Sequence, residues 1–222
     1  MEELTKLERF EIEVLEYLNS GRFLDKLVFV GGTMLRLCYG LNRFSVDLDF
    51  WIIKKLDLKQ FFDNFKNFLE KKYIIKDSAN KFFTIIFEIK SPIYPRNLKI
   101  EIRKESKSIT YEKTIAYSKY SSIQVLVNAL SLEDMMRFKI LTFLDREEVR
   151  DCFDVEFLLK RGIPLPLNKK VAGKFLEKIE NLTDSDYKIK LASIMEKDER
   201  EYYLKKNFEV LKMEIKRIIL TK

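Results

Sequence analysis

The stretch VFVGGTMLRLCYGLNRFSVDLDFWII, residues 28–53, constrains this chain more than any other. A short apolar run ends in two glycines and leads straight into TMLRLCYG, which reads as a helix with Thr33 on its N-cap side and Gly40 just past its end. SVDLDFWII then alternates as a strand does: Val46, Leu48, Phe50 and Ile52 face one way, Asp47 and Asp49 the other. Such a unit brings the bare N–H groups of Gly31 and Gly32, and the Thr33 hydroxyl, to a helix N-terminus, where a phosphate is readily held. A Gly-Gly-Thr sequence by itself also serves as a plain tight turn.

Asp47 and Asp49, two apart on one strand, project from the same face with ~7 Å between their Cα atoms. Carboxylates that close repel, and burying them unpaired costs several kcal/mol. A cation should compensate, and Mg²⁺ suits such a site because it takes one or two carboxylates together with phosphate oxygens and water. The competing reading is an exposed strand face with two harmless acids, although Asp is depleted in strands.

Composition narrows the chemistry. Histidine is absent, which removes Ser-His-Asp and Cys-His mechanisms, histidine metal sites and imidazole bases. Cys38 and Cys152 are the only cysteines and sit among apolar neighbours, so they are expected as buried thiols rather than as a metal cluster or disulfide framework. Lys and Arg (42) exceed Asp and Glu (35) by 42 − 35 = 7, a mild bias toward a polyanionic partner that a solvated surface explains as well. The start, MEELTKLERFEIEVLEYL, is charged throughout and no apolar run approaches the ~18 residues of a membrane span. A cytoplasmic protein without a membrane partner is therefore expected.

The remaining chain reads as α+β. Residues 4–19 place Leu7, Phe10, Ile12, Leu15 and Leu18 at near-helical spacing, and 57–72 form another helix. Three β-rich runs follow: KFFTIIFEIK, NLKIEIRKE, and the region from TIAYS through SIQVLVNA. From Ser131 the period becomes helical, with Asp134 at the capping-box position; GIPLPLN then breaks the chain, and 168–222 read as helix to the end. The expectation is a mixed-sheet domain over 1–130 and a helical domain over 131–222 packed against it.

In VFVGGTMLRLCYGLNRFSVDLDF the chain resembles the nucleotidyltransferase superfamily, and within it the AbiEii-type toxins of toxin–antitoxin systems. Gly31, Gly32 and Thr33 match the family's Gly-Gly-Ser/Thr element; Arg43, Ser45, Asp47 and Asp49 match its Arg-x-Ser-x-Asp-x-Asp segment. The resemblance continues in LEDMMRFKILTFLDREEVRDCFDVEFLL, through Lys139 and the Arg150–Asp151 pair, and spans roughly residues 10–162. It implies an enzyme that moves an NMP from an NTP to an acceptor hydroxyl and releases pyrophosphate. Mg²⁺ or Mn²⁺ would sit on Asp47 and Asp49, with RNA, a tRNA 3′ end included, as acceptor, and an antitoxin as partner. A small-molecule or protein acceptor, and a non-catalytic nucleotide- or nucleic-acid-binding module, are the alternatives.

Superfamily members commonly carry a third carboxylate on a neighbouring strand. In NLKIEIRKE, Glu101 is an acid on the polar face between Leu98, Ile100 and Ile102, and it is the candidate third metal ligand or proton acceptor. Glu88 in IIFEIK is its rival, and a surface glutamate between two cations is the plain reading. Lys139 shares a helix face with Leu132, Met135, Met136, Ile140 and Phe143; it either snorkels or points at a polar site, there to grip the triphosphate. Met in its place keeps that stripe apolar and is expected to hold or raise stability. Asp151 is the candidate that orients Lys139 or the acceptor, whereas Arg150 and Asp154 stand i, i+4 and are positioned to pair. Arg43 and Ser45 alternate onto the side of the aspartates, as a phosphate contact and a support for the metal shell, or else order the loop before the strand.

Overall fold

The computed structural model describes residues 1–105 and 108–221, and for 197–199 the backbone course alone. Its packing divides the chain into two units: Met1–Gly40 with Phe44–Ser131, and Leu41–Arg43 with Leu132–Lys222.

The first unit is built on a seven-stranded mixed sheet. In chain order its elements are α1 (Glu2–Ser20), β1 (Leu27–Val30), α2 (Gly31–Tyr39), β2 (Asp47–Ile52), α3 (Leu58–Glu70), β3 (Ile74–Asn80), β4 (Thr84–Lys90), β5 (Leu98–Arg103), β6 (Tyr111–Tyr117) and β7 (Gln124–Leu130). The strands lie in the order β3-β4-β5-β2-β1-β7-β6. β1 and β2 are antiparallel, whereas β2–β5 and β1–β7 are parallel. The two residues of interest on β2 therefore lie in the middle of the sheet, between β1 and β5.

Alternation along the central strands sends Leu48, Phe50, Ile85, Phe87, Ile89, Ile100 and Ile102 into the core, each at most 1% exposed. Full burial of such a side chain contributes roughly 1.5–3 kcal/mol. α3 covers part of this apolar face: Asp57 caps it by accepting from Lys59 and Gln60 N–H groups, and Phe62 and Phe65 stack on Phe87 of β4. The opposite face carries Asp47, Asp49 and Trp51 of β2 and Lys99, Glu101 and Arg103 of β5.

β3 was not among the expected β runs. IIKDSAN is polar and largely exposed, because it forms the sheet's edge and is paired only with β4. Its pairing comes from the neighbouring strand and not from a pattern of its own.

The second unit is helical: α4 (Leu132–Arg146), α5 (Val149–Lys160), α6 (Lys169–Glu180), α7 (Lys197–Lys206) and α8 (Glu209–Leu220). As expected, Met135, Met136, Lys139, Ile140 and Phe143 of α4 are buried together. The tail is not one continuous helix. A π-helical turn at Asp186–Leu191, a 3₁₀ turn at Ala192–Ile194, and Asn207 and Phe208 in left-handed conformation separate its segments. Lys222, expected as helical, lies outside the described residues. Aromatic contacts join the pieces: Phe143 to Phe175, Phe153 to Tyr203, and Tyr203 to Phe208. Among the described residues no helix is long and apolar enough to cross a membrane.

Candidate active site

The turn from β1 into α2 and the start of β2 meet closely. Val30 pairs in register with Asp49, so the next residue, Gly31, lies against the Asp49 side chain. Gly31 has φ +84°, a left-handed conformation that favours glycine, and a Cβ placed there would stand 2.7 Å from Asp49 Oδ2. No side chain fits in that space. The carboxylate and the backbone turn are thus held edge to edge, which is the juxtaposition a phosphate cradle and a metal-binding acid require. Gly32 is buried beside it, and Ser45 is half-buried two residues before Asp47.

Thr33 is placed differently from the expectation that its hydroxyl faces a phosphate. It is fully buried, and its Oγ1 donates to the Asp47 carbonyl oxygen at 2.6 Å, tying α2 to the first residue of β2. The short helix it belongs to ends at Gly40 in left-handed conformation (φ 74°, ψ 36°).

Parallel pairing of β2 and β5 sets Asp47 opposite Lys99 and Asp49 opposite Glu101, so that four charged side chains share one face. Lys99 Nζ donates to Glu101 Oε2 at 2.8 Å, and Arg103 Nε lies 3.9 Å from Oε1. The hydrogen bond to Glu101 raises the Lys99 pKa against the opposing effect of burial, with Glu101, Asp47 and Asp49 charges adding to the rise. Glu88, the rival third acid, is on β4, one strand farther out, where Asn97 Nδ2 donates to it at 2.7 Å. Position favours Glu101.

The donors are all hard carboxylate oxygens, and the close seat of Asp49 against Gly31 suits a small hard cation such as Mg²⁺ or Mn²⁺. Even so, among the described residues no three acids are grouped to hold an ion. Glu101 is turned to its lysine neighbour instead.

In the second unit, Lys139 is held between two carboxylates: its Nζ lies 3.0 Å from Asp151 Oδ1 and 2.6 Å from Asp154 Oδ2. Arg146 engages the other oxygen of Asp151 at 2.7 Å. Burial works against ionisation of Asp151, but Lys139 and Arg146 outweigh it and hold this carboxyl below the usual range. Asp154 does not serve chiefly as the i, i+4 partner of Arg150. It takes a two-pronged bond from Arg43, Nε to Oδ1 at 2.7 Å and Nη2 to Oδ2 at 2.6 Å. Arg43 is 3% exposed, so the structure seats its guanidinium in this cluster and not on the face of the aspartates. Three cations and two anions leave the cluster with one positive charge in excess, and Arg146, 43% exposed, is its most open member.

Two buried acids of α1 were not legible in the sequence. Glu8 of α1 accepts from Arg36 Nε (2.8 Å) and Ser118 Oγ (2.6 Å), and the Arg36 guanidinium lies over the Phe44 ring. Glu11, one helical turn on, is 1% exposed, and among the described residues its Oε1 has no hydrogen-bond partner. Burial pushes its carboxyl far up, with Glu8 and Asp47 adding to the effect and Arg36 opposing it. Helical periodicity hides Glu8 and Glu11, because both look like ordinary charged positions on a surface helix. Cys152 is buried as expected; Cys38 is half-exposed, and burial of its thiol still pushes it to about 12.

The fold is shared with solved structures, nucleotidyltransferases among them. The JHP933 protein of Helicobacter pylori matches with a TM-score of 0.59 at 22% identity, over 98% of this chain and 95% of that one. A putative nucleotidyltransferase of H. pylori gives 0.57 at 22%, over 94% and 96%. MenT4, a nucleotidyltransferase toxin of Mycobacterium tuberculosis, gives 0.58 at 14%, over 96% and 86%. No curated protein matches the chain in sequence. The protein is a nucleotidyltransferase, and a family match carries this. More narrowly, a family model for the nucleotidyl transferase AbiEii toxin of type IV toxin–antitoxin systems matches residues 13–215, and the chain belongs to that family.

Proposed function

We propose that this toxin transfers an NMP from an NTP to a hydroxyl of RNA, with Mg²⁺ or Mn²⁺ held by Asp47 and Asp49. The observation that carries the reading is the seat of the Asp49 carboxylate against the glycine turn, where a Cβ on Gly31 would come within 2.7 Å of Oδ2. The N–H groups of Gly31 and Gly32 would take phosphate oxygens. Thr33 would serve by fixing Asp47 rather than by touching the nucleotide. A divalent ion bound here would supply Lewis-acid stabilisation of charge developing on the phosphoryl oxygens. The acceptor hydroxyl attacks the α-phosphorus, a new O–P bond forms, the bond to pyrophosphate breaks, and the proton passes to Glu101 or to solvent.

Lys139, with Arg146 beside it, is the proposed charge for the triphosphate tail. Asp151 would orient Lys139 through their 3.0 Å contact. Arg43 would order the segment before β2 through Asp154, and Ser45 would support the acids from the same segment. RNA is favoured as acceptor by the surplus of 7 positive charges, with a tRNA 3′ end the first to try. An antitoxin partner follows from the family.

The test is to incubate the protein with each labelled NTP, Mg²⁺ and total RNA. Label should enter RNA, require the metal, and vanish in Asp49→Asn. Label in protein or small molecules instead would overturn the RNA acceptor. Overexpression should arrest growth, and Asp47→Asn should relieve the arrest at equal expression; equal toxicity would mean that transfer is not the cause.

A further inference from the structure

Lys99 places a cation among the carboxylates that a metal site needs. It is the register partner of Asp47 on the adjoining parallel strand, and its ammonium donates to Glu101 at 2.8 Å. Asp47, Asp49 and Glu101 share its face of the sheet. Among the described residues, Asp49 has no cation as a register partner: it has Val30 on β1 and Glu101 on β5. The Lys99 side chain is 41% exposed, so packing does not lock it in place. A flexible four-carbon stem with a compact charge can leave a carboxylate when a stronger cation arrives.

We propose that Lys99 is a tethered counter-ion of the acid site, which competes with the divalent cation for Glu101 and the aspartates and so weakens metal binding. The proposal rests on the reading that Asp47 and Asp49 hold the metal. In the metal-free protein the ammonium relieves repulsion among three carboxylates. When an ion binds, Lys99 leaves Glu101, which is then able to join Asp49 at the position directly opposite it. A site of this kind is poorly filled by free metal and better filled when the metal arrives with a polyphosphate, since the anion gives the displaced ammonium a new partner.

The experiment compares Mn²⁺ binding, followed by electron paramagnetic resonance of free Mn²⁺, in the full chain and in Lys99→Met, Lys99→Gln, Lys99→Arg and Asp49→Asn. Lys99→Met and Lys99→Gln should bind Mn²⁺ about fivefold more tightly or better, as expected for removing a unit charge a few ångströms away in a half-exposed site. Lys99→Arg, which keeps the charge, should stay close to the parent. Thermal melts provide a second reading: Lys99→Met should lose stability without metal and regain it with Mn²⁺, whereas a purely structural lysine would cost the same in both. Unchanged or weaker binding in Lys99→Met, with Asp49→Asn still impaired, overturns the counter-ion and leaves the metal reading standing. If the parent binds no Mn²⁺ and Asp49→Asn changes nothing, both fall.

Discussion

The Thr33 hydroxyl donates to the Asp47 carbonyl oxygen across 2.6 Å, so the helix that follows the glycine turn is tied to the strand that carries both aspartates. Thr33→Val keeps the shape and removes the donor, so the part-buried Asp47 carbonyl loses this bond. Such a loss typically costs about 1–2 kcal/mol. Denaturation should show that loss, together with a fall in transfer rate and little change in NTP affinity. Wild-type stability in Thr33→Val would mean that the bond does not hold β2.

Gly31→Ala should be more damaging to chemistry than to folding. The left-handed backbone strains any other residue by roughly 1–3 kcal/mol, and the added carbon must push Asp49 aside. We expect a melting temperature lowered by a few degrees, and transfer near the level of Asp49→Asn. Full activity in Gly31→Ala would show that the close seat of Asp49 is incidental.

Lys139→Met should destabilise the protein. The helical stripe alone gives the opposite expectation, but the structure places Lys139 between two fully buried carboxylates. Removing one partner from a buried ion cluster costs about 3–5 kcal/mol; the arginines kept by Asp151 and Asp154 put this change at the low end, about 3 kcal/mol. Transition-state stabilisation should fall by roughly 2–4 kcal/mol as well. Urea unfolding and kcat/KM measured on the same preparation separate the two effects.

Glu11→Gln should stabilise the protein at alkaline pH and not at acid pH. Burial and neighbouring carboxylates raise the Glu11 pKa in the folded state, so above its unfolded value of 4.5 the unfolded chain releases a proton that the folded chain retains. Stability therefore falls as pH rises from there toward the folded pKa. Melting temperatures at pH 4 and pH 8 decide it: parent and variant should agree at the first and diverge at the second.

Asp151 has the opposite sign. Burial works to raise its folded-state pKa, but Lys139 and Arg146 hold it below the ordinary carboxylate range. The stability it contributes is present above pH 4 and is lost as pH falls through the depressed value. Acid unfolding of Asp151→Asn should be shallower than that of the parent below pH 4, with a lower plateau at neutral pH.

The β1–α2–β2 unit was legible because everything that makes it is local. Glycine at a left-handed turn, period-two alternation and a left-handed Gly40 are all written within some twenty residues. Partners that lie far along the chain were not legible. Arg43 finds Asp154 at a separation of 111 residues, and nothing near Arg43 distinguishes a phosphate ligand from one half of a buried ion pair. Lys99 is set beside Asp47 by parallel pairing, which the alternation of NLKIEIRKE does not specify. Thr33 was read toward a phosphate for a different reason: its hydroxyl suits a ligand or a backbone carbonyl, and only the seating of β2 against α2 gives it the Asp47 oxygen.

The short passage Leu41–Arg43 belongs by packing to the helical unit, although it links the glycine turn to the paired aspartates. On a ribosome these two halves of the signature emerge early, yet the carboxylate that takes the two-pronged bond of the guanidinium between them is not made until residue 154, on α5. An unpaired arginine is not buried at such cost, so the passage stays loose in an incomplete chain. A prematurely ended fragment would carry the acids and the glycines without the clasp between Arg43 and Asp154.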